Sequence, residues 1–148
     1  MFSNRRAGVA LMAGFIFWSS SAFAVTLITD DEAKRPNDPQ SMATRGISRG
    51  PVIRFEPPAS DPAPHVPFDF RVHFEAHGGA TVDPEHIHIT YLKAPNVDLT
   101  DRLRPYITAE GIDMPAAQLP VGEHALHVEV EDSDGRSGEA TFTVKVGK

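Results

Sequence analysis

Beyond residue 50 the chain alternates between apolar and polar positions. Phe68, Phe70, Val72 and Phe74 alternate with Asp69, Arg71, His73 and Glu75, which predicts a strand with one apolar and one charged face. The same period of two relates Ile87, Ile89 and Tyr91 to His86, His88 and Thr90. It recurs in Leu126, Val128 and Val130 against His127, Glu129 and Glu131, and in Ala140, Phe142, Val144 and Val146 against Glu139, Thr141, Thr143 and Lys145. Residues 52–55, 106–108 and 112–114 add shorter strands. Residues 100–104 read as one helical turn, capped by Thr100 and ended before Pro105. Pro57-Pro58 and the Pro-rich run 61–64 interrupt ladder pairing. His77-Gly78-Gly79, Asp83-Pro84, the run 119–122 and Asp134-Gly135 supply turns. No amphipathic helix of useful length is present. About seven short strands separated by turns predict an all-β fold, a two-sheet antiparallel sandwich over residues 51–148.

The first 50 residues follow other rules. Asn4-Arg5-Arg6 is a positive start, residues 7–18 are uncharged, and Ala22-Phe23-Ala24 has the small-x-small form that a signal peptidase accepts. The apolar run is shorter than the ~20 residues that cross a bilayer as a helix. Residues 1–24 therefore read as a cleavable signal peptide, with the mature chain starting at Val25 in the periplasm or outside the cell and with no stable membrane insertion. Arg5-Arg6 is followed by Ala-Gly-Val and supplies charge rather than a twin-arginine consensus. Residues 25–50 carry few large apolar side chains (Leu27, Ile28, Met42, Ile47) and read as a flexible linker. Its basic end, Arg45 to Pro51, suits either a plain connection or docking to an acidic partner.

Composition narrows the function classes. The chain has no cysteine, so no disulfide and no lipidated cysteine anchors it. Loss of Arg5 and Arg6 with the signal takes the formal charge from −6 to −8, and such an acidic domain is repelled by nucleic acid and anionic lipid. There is no Gly-x-Ser-x-Gly elbow, phosphate-cradling glycine loop or His-Glu-x-x-His helix, and no arrangement points to an enzyme.

The segment LPVGEHALHVEVEDSDGRSGEATFTVKV, from Leu119 to Val146, resembles the last two strands of bacterial immunoglobulin-like, cadherin-like and fibronectin-III-like domains. Those domains often end in a Pro-x-Gly turn, an alternating strand, an Asp-x-x-Gly connection and a final strand. The resemblance implies an immunoglobulin-like sandwich and a non-catalytic binding, adhesion or spacer role, with a protein or glycan partner and no cofactor.

The histidines offer an alternative. His86 and His88 share one face of their strand, and His127 and Glu129 share one face of theirs. In an immunoglobulin-like topology the third and sixth strands are neighbours, which brings these four residues onto one outer sheet face. Imidazoles and a carboxylate at cross-strand separations suit Cu or Zn. The competing expectation is a solvated sheet face. His73 and Glu75 belong to the other sheet, His77 to a turn, and His65 to a Pro-rich loop. Glu129, Glu131, Asp132 and Asp134 are oxygen donors near a glycine turn, suited to calcium or to a plain acidic hairpin. The open sheet edges suit an added peptide strand.

Overall fold

The computed structural model describes residues 24–39, 49–57 and 66–148. The expected signal peptide before Ala24, residues 40–48 of the expected linker, and His65 lie outside the described residues. Among those described, nine strands form two sheets: β1 (Val25–Thr26), β2 (Val52–Glu56), β3 (Phe68–Glu75), β4 (Val82–Tyr91), β5 (Val97–Asp98), β6 (Ile107–Thr108), β7 (Gly111–Gln118), β8 (Gly122–Asp132) and β9 (Ser137–Val146). Two one-turn helices, α1 (Asp30–Ala33) and α2 (Thr100–Leu103), complete the set, α2 continuing into a 3-10 turn at Arg104–Tyr106.

One sheet has the order β1-β7-β3-β2, with β6 also paired to β7; the other has the order β5-β4-β8-β9. This is an all-β, immunoglobulin-like sandwich, with β2, β3 and β7 facing the β5-β4-β8-β9 sheet. The period of two dictates the inner faces. Phe68, Phe70, Val72 and Phe74 are buried from β3, Ile87, Ile89 and Tyr91 from β4, and Leu126, Val128 and Val130 from β8. Phe55 of β2 stacks on Phe142 of β9 with centroids 4.5 Å apart, so the sheets are joined by aromatic packing as well as by aliphatic burial. Where β9 starts beside Pro51, a Cβ on Gly138 would collide with the Pro51 carbonyl, and only glycine allows that approach.

Residues 25–39 correct the expectation of a flexible linker. Val25 and Thr26 pair in parallel with Ala117 and Gln118, and Leu27 and Ile28 are fully buried in the core. Thr29 and Glu32 form a reciprocal capping box on α1. Glu32 then pairs with Arg102 through two hydrogen bonds of 2.6 and 2.9 Å, while Arg102 also donates to the Leu27 carbonyl at 2.8 Å. Lys93 donates to Asn37 at 2.7 Å. Two apolar side chains suffice here because specific polar anchors surround them.

Three local expectations also change. Thr100 does not cap α2. Its hydroxyl accepts the Ile89 N–H at 3.0 Å, and Asp98 accepts the Thr100 N–H at 2.8 Å instead. Strand β7 runs on to Gln118, past the expected end near Met114. Asp83-Pro84 is not a turn between elements; it lies in an irregularity inside β4. There the register moves from Val82↔Asp132 to Ile87↔Val130, five steps along β4 against two along β8. Proline, which cannot donate to a ladder, sits in the unpaired stretch.

Candidate metal centre

Strands β4, β8 and β9 lie side by side, and the register fixes what meets on their outer face. Glu129 of β8 lies opposite His88 of β4 and, on its other side, opposite Glu139 of β9. His127 lies opposite Thr90 and Thr141. Two glutamates directly opposed destabilise a ladder unless positive charge sits between them. His127 Nε2 lies beside both, 3.6 Å from Glu129 Oε1 and 3.9 Å from Glu139 Oε2. One donor atom from each of the three residues lies within 4.8 Å of the other two. A tetrahedral ion with bonds of about 2.0–2.1 Å needs donors ~3.4 Å apart, so small side-chain rotations close the site.

The second imidazole nitrogen is also held. His127 Nδ1 is 2.9 Å from Thr141 Oγ1. A hydroxyl serves either tautomer: it accepts from Nδ1–H when Nε2 has a free lone pair, and donates to Nδ1 when Nε2 carries the proton. Such an outer partner orients a ligating histidine.

The four residues expected to converge do so only in part. All lie on β4 or β8, which are neighbours, but the close cluster is His127 and Glu129 with Glu139. His86 lies in the irregular stretch of β4, and its Nδ1 is 3.1 Å from Asp83 Oδ2. His88 faces Glu129 in the ladder and helps hold the Asp98 carboxyl below its ordinary range, an effect due first to hydrogen bonds from Thr100. Glu139 escaped the sequence reading because its partner depends on the β8–β9 register. Counting outward from Asp134-Gly135 is the signal for it, since the hairpin places Glu131 opposite Ser137 and Glu129 opposite Glu139.

Several other titratable groups have partners of their own. His73 lies on the other sheet, as its strand phase predicts, with Nε2 2.9 Å from Glu56. His124 is buried on the inner face of β8. Its Nε2 is 2.7 Å from the Pro120 carbonyl, so it donates there, and its Nδ1 accepts from the Tyr91 hydroxyl at 2.9 Å. Burial pushes the His124 imidazole down, with Lys93 adding to the effect and the Pro120 hydrogen bond opposing it. Burial pushes the Tyr91 phenol up to about 12, which keeps it a donor. The expected oxygen-donor group separates in part: Glu129 belongs to the His127 cluster and Asp134 pairs with Arg136 at 3.2 Å, while Glu131 and the buried Asp132 stay together at the foot of the hairpin.

No helix among the described residues is long and apolar enough to cross a membrane. No known protein family matches the chain, and no curated protein matches it. Among solved structures it is similar to CopC from Methylosinus trichosporium OB3b, with a TM-score of 0.42 and 20% identity over 67% of this chain and 95% of CopC.

Proposed function

We propose that the mature protein is an extracytoplasmic metal-binding sandwich module that takes one Zn(II) or Cu(II) ion at His127, Glu129 and Glu139. The observation that carries this reading is the position of His127 Nε2, 3.6 and 3.9 Å from carboxylates on two adjacent strands, with Nδ1 already engaged by Thr141. One imidazole and two carboxylates form a mixed nitrogen and oxygen donor set suited to these ions. A cation also removes the repulsion between two directly opposed glutamates. Three protein donors on an open face leave a position for water or for a donor from another molecule, which suits carriage or buffering of the ion. The extracytoplasmic address rests on the signal-like residues 1–24.

The broader reading is a non-catalytic module binding a protein or glycan, and it rests on the family resemblance. The metal reading leads because it names atoms. Calorimetric titration of the mature chain with Zn(II) and Cu(II) tests it. We expect one saturable site, at least about tenfold weaker in His127→Ala and weaker in Glu139→Gln. The double variant His86→Ala/His88→Ala should bind as the wild type does. Equal affinity in His127→Ala and wild type would remove the proposal.

A further inference from the structure

A second group of carboxylates lines a cleft where the irregular stretch of β4 meets the β8–β9 hairpin. The cleft has a volume of about 490 Å³ and is lined by Asp83, Glu131 and Asp132, with the His86 imidazole beside them and no lysine or arginine. Asp132 is only 4% exposed. Its Oδ1 closes the hairpin by accepting the N–H groups of Asp134 at 3.0 Å and Arg136 at 2.9 Å. Its Oδ2 is buried and takes no hydrogen bond from any described group. A buried carboxylate oxygen without a donor is costly, and native proteins supply such oxygens with a partner. At the rim, Asp83 Oδ1 accepts the Glu85 N–H at 2.9 Å, and Ser133 Oγ accepts the Thr81 N–H at 3.1 Å. The Thr81–Ser133 bond ties β4 to the β8–β9 hairpin, and all three carboxylate residues line the cleft between them.

The geometry points to a second cation site, for Ca²⁺, with Asp132 as its buried anchor and Asp83 and Glu131 as rim donors. Calcium takes six to eight oxygens in adaptable geometry, counts carboxylates as one or two donors, and accepts water for the rest, which an open cleft provides. Among the lining residues the one imidazole, that of His86, has its Nδ1 3.1 Å from Asp83, and carboxylate oxygens outnumber ring nitrogens in the donor set. The site shares no residue with the His127 cluster and does not depend on it. Three carboxylates in an open cleft place the expected Kd in the range of about 10⁻⁴–10⁻³ M.

The experiment is thermal unfolding of the full mature chain across a CaCl₂ series, with MgCl₂ at matched ionic strength as control. The wild type is expected to show a saturable rise in Tm with Ca²⁺ and a smaller one with Mg²⁺. Asp132→Asn keeps the Oδ1 acceptor that closes the hairpin and removes the charge; it should weaken the Ca²⁺ response at least about tenfold, while His127→Ala leaves it unchanged. Should Asp132→Asn fail to fold, the double variant Asp83→Asn/Glu131→Gln carries the test with the same expected loss. An absent wild-type response, an equal response to Mg²⁺, or an undiminished response in these variants would overturn the site.

Discussion

Two histidines three residues apart on one strand have opposite fates, and phase alone separates them. His127 points outward to two glutamates and a threonine, whereas His124 points inward to Tyr91 and the Pro120 carbonyl. The alternation of β8 made the outward position of His127 legible. It also implied an inward His124, but only the structure supplies the two partners that make a buried imidazole tolerable. Because burial lowers its affinity for protons, His124 stays neutral in the folded chain at pH values where the unfolded chain, with an imidazole near about 6.5, takes up a proton. Its contribution to stability is therefore full above that pH and is lost as pH falls through and below it. Thermal unfolding followed from about pH 7.5 to about pH 5.5 should show Tm declining, and His124→Gln, which keeps one donor and one acceptor, should decline less steeply. Equal slopes would show that His124 is not the group responsible.

At the scale of elements, the alternating strands were legible because each buries one face; the N-terminal segment was not. Residues 25–39 lack periodicity, and what docks them is long-range: Glu32 on Arg102, Arg102 on the Leu27 carbonyl, Lys93 on Asn37. No local pattern announces a partner some seventy positions away. Glu32 is held at a pKa of about 2, chiefly by its hydrogen bonds from Arg102 and further by Thr29. That pairing contributes stability above the unfolded value near 4.5, and the contribution is lost as pH falls toward about 2. Glu32→Gln is expected to destabilise the fold by about 2 kcal/mol and to speed amide exchange at residues 25–37 while leaving β8 and β9 protected. Unchanged exchange in that segment would mean that Leu27 and Ile28 dock it without the ion pair. The irregular stretch of β4 belongs to this scale too. Asp83-Pro84 looked like a turn because its chemistry suits one, but the paired register on either side keeps it within the strand.

For the whole molecule, the two-sheet sandwich and the neighbouring placement of β4 and β8 followed from strand rhythm and the topology rules of the fold. The membership of the outer-face cluster did not follow, because it depends on a register set by a hairpin and by an irregular strand. The result is a sheet face on which β8 and β9 bring His127, Glu129 and Glu139 together, while β4 turns His86 toward Asp83. The chain is acidic, with a formal charge of −6, so cations collect at its surface, and this cluster offers them a fixed nitrogen as well as carboxylates. The most direct test follows the imidazole nitrogens of the ¹⁵N-labelled mature chain by NMR while Zn(II) is added. The account predicts that the His127 Nε2 resonance moves to the metal-bound position and that Nδ1 keeps its proton toward Thr141, with His124 and His73 unmoved. A spectrum in which His127 is unaffected, or in which other histidines take the ion first, would contradict it.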